Sequence, residues 1–406
     1  MSSDSLFVWV YLPGKIQPVV SGRLDISRTV AGALGKFIYG QSYLSRKDAI
    51  PLDPVTLPLG NSVHEFTSLN GFPGIVLDSC PDRWGIKVID RLVGQLQYPT
   101  GYLLLNDPGR AGAIAFSLFA TDIPKELESR EFTLTDLMHA AEAVEKGLYV
   151  DPELLKALHP GTGGARPKCN VIDGDAIWVA KFPSIDDSSL ISIPRLEFAT
   201  MTLAEKCKIR VAETKLEVID GRDVCFVKRF DRALTSSGIL RKNYLSARSI
   251  FFGSEGYQAV GTGSYGRIAR QLQKYGCPVE ERHELYRRMV FNVAIRNSDD
   301  HELNHGLIHL KHGEWRLSPA FDIVPSTVFH HVYQHALLIG DSAAGTISNL
   351  LSNAEAFGHS RTEAMRVIDD VQSLFAHNWL DTFYTAGFGD ESIRNIERCF
   401  LPIPLG

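Results

Sequence analysis

The chain opens on an apolar run, Leu6-Phe7-Val8-Trp9-Val10-Tyr11-Leu12, that breaks at Pro13-Gly14 and resumes at Val19-Val20, which is the pattern of a hairpin. Short segments follow at Gly35-Lys36-Phe37-Ile38-Tyr39, at 50–52 and at 57–60, separated by Pro and Gly, so a small sheet-rich unit is expected. Cys80-Pro81-Asp82-Arg83-Trp84-Gly85 then leads into a predicted helix over 86–96, with Ile86, Val88, Ile89, Leu92 and Val93 near helical spacing. After a charged stretch at 122–131, the periodicity predicts an amphipathic helix over 132–146 and a shorter one over 151–158.

The pattern changes at 159–168, a Gly-rich loop containing Gly161, Gly163, Gly164, Ala165 and Lys168. Two apolar runs joined by Asp173-Gly174 predict a hairpin whose second strand ends on Lys181, since a two-residue Asp-Gly between such runs is the strongest short hairpin signal. A helix over 194–208 carries Glu197, Met201 and Ala204 on one face, and a second hairpin turns at Asp220-Gly221 and runs on through Lys228 and Phe230 to Arg232. From residue 264 the pattern is helical: 264–275 stops at Gly276 with Pro278 beyond, 279–295 has one apolar side, and Ser360-Arg361-Thr362-Glu363 reads as a capping box before Ala364, Val367, Ile368 and Val371. The expected division is a sheet-rich unit over 1–130, a loop-hairpin-helix-hairpin unit over 131–235 and a helical half over 236–406.

At 406 residues the chain is long enough for two or three packed units, and 44% hydrophobic with 22% charged is ordinary for a soluble globular protein. A net charge of −5 gives no bulk attraction to nucleic acid or to an anionic membrane. The six cysteines form no C-x-x-C pair, and reduced, buried thiols are expected. The first residues carry no basic leader pattern and no window approaches the ~20 apolar residues of a membrane span, so the cytoplasm is the expected location.

The densest chemistry lies at 297–306, Asn-Ser-Asp-Asp-His-Glu-Leu-Asn-His-Gly, followed by a strand-like Leu-Ile-His-Leu, a turn at His312-Gly313 and then Asp322. Two chemistries fit this spacing. Phosphoryl transfer needs backbone and lysine contacts to polyphosphate, a carboxylate at the acceptor hydroxyl, and Mg²⁺ on hard oxygen donors. The loop at 161–168 would lie over the phosphates of ATP, Lys181 would contact them while held by Glu197, and residues 226–230 would link the lobes and face adenine. Asp299 would take the hydroxyl proton, Asn304 and Asp322 would hold the metal, and His301 would support the loop. Alternatively, His301-Glu302-Leu303-Asn304-His305 satisfies H-E-x-x-H, the zinc-hydrolase pattern, which requires a sustained helix that Gly306 and the strand-like run oppose. Gly261-Thr262-Gly263-Ser264-Tyr265-Gly266 satisfies G-x-G-x-x-G, yet no strand precedes it, so a helix N-terminus is the better reading. The order of parts, sheet-rich half before helical half, favours the kinase-like site.

With these segments in place the sequence resembles the HipA family of bacterial toxin-type serine/threonine protein kinases. The resemblance runs through Pro81-Asp82-Arg83-Trp84-Gly85, Gly163-Gly164-Ala165-Arg166-Pro167-Lys168, Lys228-Arg229-Phe230-Asp231-Arg232, the segment 298–305 and Ala320-Phe321-Asp322. It implies an α+β fold of the atypical protein-kinase-like, two-lobed kind: a mixed α/β N-terminal lobe with an extra small sheet-rich subdomain, and an all-helical C-terminal lobe. It further implies Mg²⁺-ATP as cofactor, Asp299 as catalytic carboxylate, Asn304 and Asp322 as metal ligands, Lys181 as the nucleotide-binding lysine, and Lys228 and Phe230 at the hinge. Family members phosphorylate a serine on a target such as an aminoacyl-tRNA synthetase and are neutralised by a helix-turn-helix antitoxin, HipB, so DNA is met only through that partner. A serine that is itself phosphorylated often stands in the family's loop; here Gly161 stands there and Thr162 is the nearest hydroxyl. A kinase-like module that only binds a transcriptional antitoxin is the non-catalytic alternative.

Overall fold

The computed structural model describes all residues except 1, 31, 68, 97–98, 160, 162, 189, 253–262, 312, 328–332 and 401. Its first element is a five-stranded antiparallel sheet, order β4-β3-β2-β1-β5, built from β1 (Ser2–Val10), β2 (Val19–Thr29), β3 (Gly32–Tyr39), β4 (His64–Phe66) and β5 (Ile114–Ser117). Alternation sets its two faces. Leu6, Val8 and Val10 point into the main core with Leu24 and Ile26, whereas Trp9 and Tyr11 pack with Ala113 and Ala115 on the other side. β2 runs nine residues past the expected Val20, because Arg23-Leu24-Asp25-Ile26 continues the alternation across an irregularity in register at Val8/Trp9.

The second sheet, order β6-β7-β9-β8, contains the two expected hairpins: β6 (Lys168–Asp173) with β7 (Ala176–Lys181), and β8 (Thr214–Ile219) with β9 (Arg222–Lys228). Helix Ile193–Lys206 connects them, capped by Ser192 with Pro194 in its first turn. One side of this sheet is closed by helix Leu134–Glu145 and by Trp84 and Val88 of helix Arg83–Val93, which meet Trp178 and Phe226 in a second apolar cluster. That helix starts three residues earlier than the periodicity predicts. Trp84, Val88 and Ile89 form its buried side, leaving Ile86 and Val93 exposed.

The expectation of an all-helical region after residue 236 is corrected. A hairpin, β10 (Arg232–Thr235) with β11 (Gly238–Arg241), leads into a three-stranded sheet of β12 (Tyr244–Ser246), β13 (Gly306–His309) and β14 (Trp315–Leu317). β12 and β13 pair Tyr244 with Ile308 across a long sequence gap, which carries no local signature. Helix Tyr265–Lys274 packs against Val279–Ala294, which in turn packs against Arg361–Thr385. One apolar cluster runs from Leu6 of the first sheet through these helices to Ile403. All six cysteines are unpaired and five are buried. Among the described residues, no helix is long and apolar enough to cross a membrane.

Candidate active site

Antiparallel pairing of β6 with β7 sets Lys168 opposite Lys181, and helix Ile193–Lys206 brings Glu197 beneath the end of β7. The Lys181 ammonium donates to Glu197 Oε1 at 2.5 Å and to Asp322 Oδ1 at 2.6 Å. Burial alone would lower the Lys181 pKa, but Asp322 and Glu197 together outweigh it and raise it, so the amine stays charged. Lys181 in turn holds the Asp322 carboxyl well below the usual range, with Lys168 and His301 adding to the effect.

Asp322 reaches this position by an indirect route. Beyond β14, Ser318 donates its N–H to Gly306 O, and Ala320 exchanges backbone hydrogen bonds of 2.8 Å with Arg210 and Ala212. The strap so formed leaves Asp322 at φ +58°, a left-handed conformation that Asp tolerates better than most residues. Its neighbour Phe321 lies 5.6 Å, ring to ring, from Phe230, which itself touches Tyr244. Lys228 is turned away from this cleft: its N–H goes to Glu213 O and its ammonium to Glu213 Oε2, both at 2.8 Å.

The segment 297–305 follows the end of helix Val279–Ala294 as turns. Asp299 is exposed at its tip, and Asn304, almost fully buried, donates its N–H to His301 O at 2.9 Å. His301 Nδ1 is buried without a hydrogen-bond partner among the described residues. The neighbouring Asp300, which the sequence left without a role, is the anchor. Its Oδ2 accepts from Asn292 Nδ2 at 2.9 Å, from the Tyr265 hydroxyl, and meets His305 Nε2 at 2.8 Å. Burial raises the Asp300 pKa, yet His305 and these hydrogen bonds prevail and hold it below the usual carboxylate range.

These contacts decide the zinc reading. Residues 301–305 are not helical, and His305 Nε2 is committed to Asp300, so the two histidines do not present one ligand face. Asn304 and Asp322 offer an amide oxygen and a carboxylate, the hard donors that fit Mg²⁺. Of the G-x-G-x-x-G segment, Gly261 and Thr262 lie outside the described residues, and Ser264 caps helix Tyr265–Lys274 by accepting from Arg267 N.

The Gly-rich loop is held at several points. Lys168 Nζ donates to Gly163 O at 2.5 Å, and Gly164 sits at φ +105°, a conformation reserved for glycine. Ala165 and Gly163 are exposed above it. Gly161 donates to Asp107 Oδ1 at 3.0 Å, and a Cβ there would lie 2.7 Å from that oxygen and 2.8 Å from Arg110 N, so this loop conformation excludes serine at 161. Thr162 lies outside the described residues.

The HipA-like C-terminal domain family matches residues 161–379, more than half of the chain, from the Gly-rich loop into helix Arg361–Thr385. The Sinorhizobium fredii protein Y4dM, which carries the name of a kinase, is 29% identical over 176 residues; the match covers 40% of this chain and spans only 38% of that relative's length. Among solved structures, HipA of the Shewanella oneidensis MR-1 toxin-antitoxin system, in complex with HipB and its operator DNA, superposes with a TM-score of 0.70 at 15% identity, covering 97% of this chain and 94% of that one. The fold is therefore that of HipA over nearly the whole length, and the family match falls on the loop, Lys181, the segment 297–305 and Asp322: the chain belongs to the HipA family.

Proposed function

We propose that the protein is an ATP-dependent protein-serine/threonine kinase of toxin type. The observation that carries this reading is Lys181, a buried ammonium held between Glu197 and Asp322, because a charged lysine fixed beside a metal-capable carboxylate is what polyphosphate binding requires. The loop of Gly163, Gly164, Ala165 and Lys168 covers the phosphates, while Phe230 and Phe321 flank the base. Asn304 and Asp322 would hold Mg²⁺, which neutralises charge on the transferring phosphate. Exposed Asp299 accepts the proton of the acceptor hydroxyl; that oxygen bonds to the γ-phosphorus as the bond to the bridging oxygen breaks, and ADP leaves with the electron pair. His301 orients this segment from within.

The acceptor, on this reading, is a serine of a translation-related protein such as an aminoacyl-tRNA synthetase, and a HipB-like helix-turn-helix antitoxin is the partner through which DNA is met. The purified chain incubated with radiolabelled ATP, Mg²⁺ and a cell lysate is expected to label a discrete protein band on serine. Asp299→Ala is expected to abolish that label with the fold intact. Undiminished labelling by Asp299→Ala sinks the assignment.

A further inference from the structure

Three residues of the segment that precedes helix Arg83–Val93 and opens it, Asp82 to Trp84, run alongside the Gly-rich loop and bond to it at both ends. Asp82 Oδ2 accepts from Gly164 N at 2.8 Å, Trp84 N donates to Gly164 O at 3.2 Å, and Trp84 Nε1 donates to Lys168 O at 2.9 Å. Gly164 is thus held by both its backbone groups. A hydrogen bond to a charged acceptor is stronger than the average backbone bond, and a residue at φ +105° has few other ways to stay in place. Asp82 stands at the N-cap of the helix, yet its side chain makes no capping bond there. A Cβ on Gly163 would come within 3.3 Å of the same Asp82 oxygen, so the carboxylate lies directly under the loop.

We propose that Asp82 is a positioning residue for the Gly-rich loop, which makes the N-terminal unit part of the nucleotide site instead of an appendage to it. The inference rests on reading that loop as the phosphate cover. Its contact with Gly164 spans 82 residues of sequence, so it joins two units that the chain builds separately.

The test compares the full-length parent with Asp82→Ala and Asp82→Asn. Amide hydrogen exchange at Gly164 is expected to accelerate roughly tenfold in Asp82→Ala and to return toward the parent rate in Asp82→Asn, whose amide oxygen still accepts the N–H. The KM for ATP is expected to follow the same order, rising about tenfold in the alanine variant with a smaller change in kcat, while the melting temperature stays near that of the parent. Equal Gly164 exchange in parent and alanine variant overturns the proposal, as does faster exchange with an unchanged KM for ATP. A parent that transfers no phosphate sinks the kinase reading alone, because the exchange comparison still judges the role of Asp82.

Discussion

Two lysines sit side by side at the ends of paired strands, yet they are held in opposite ways. Lys181 has two carboxylates, whereas the Lys168 ammonium has Gly163 O, and burial followed by the nearby charge of Lys181 pushes it down to about 8 despite the opposing pull of Asp322, Glu197 and Asp82. A folded value below the ordinary 10.5 means that Lys168 carries a proton at a cost to stability below about pH 8, a cost relieved as pH rises toward 10.5. Its charge at the loop is lost as pH rises through about 8. The KM for ATP is therefore expected to climb between about pH 7 and pH 9, and Lys168→Arg, which keeps its charge throughout, is expected to flatten the profile. Parallel profiles for the two proteins would refute this account. Part of the arrangement was legible from residue types in order: Lys181 at a strand end meets Glu197 of the next helix as expected, whereas the contact of Asp322 with the same ammonium was not foreseen. Asp300 was not legible, because it is chemically identical to Asp299 and only the turn after helix Val279–Ala294 decides which carboxylate goes inward to Tyr265 and Asn292.

Elements with a strong local code were the readable ones. Ser360 and Glu363 bond reciprocally, Ser360 N to Glu363 Oε2 at 2.8 Å and Glu363 N to Ser360 Oγ at 3.3 Å, and so start the 25-residue helix Arg361–Thr385 where its capping box predicts. Both Asp-Gly hairpins likewise form where their turns stand. A strand of three residues such as β12 is too short to show a period of two, and its partner β13 is remote in sequence. The two cases imply different sensitivities. Removing the cap with Ser360→Ala should cost about 1 kcal/mol in urea unfolding, since it frees the Glu363 N–H that the hydroxyl satisfies. Far from the cleft, it should leave phosphate transfer unchanged. A loss of activity without loss of stability would show that this helix end does something other than start a helix.

At the scale of the molecule, the segment joining β9 to β10 is fastened to the N-terminal unit by a buried ionic knot. Asp231 takes two hydrogen bonds from Arg229, one from Arg232 at 2.8 Å and one from Gly112 N at 3.0 Å, while the same guanidinium groups donate to the carbonyls of Gly109, Arg110 and Gly112. Burial opposes ionisation of Asp231, but Arg229 and Arg232 overcome it and bring its pKa down to about 2. A folded value below the ordinary 3.8 contributes stability that is complete above about pH 4 and lost as pH falls through 2, on the order of 2 kcal/mol. Asp231→Asn leaves two buried guanidiniums without their counter-charge, a change expected to cost about 3–5 kcal/mol because uncompensated buried charge is the expensive state. It should also expose residues 109–112 to limited proteolysis, since the knot holds that loop against residues 229–232. Urea unfolding of parent and variant across the acid range provides the check: the stability gap should stay constant down to about pH 4 and narrow by about 2 kcal/mol toward pH 2. A gap that persists unchanged at pH 2 would mean that shape, and not the charge of Asp231, holds the two units together.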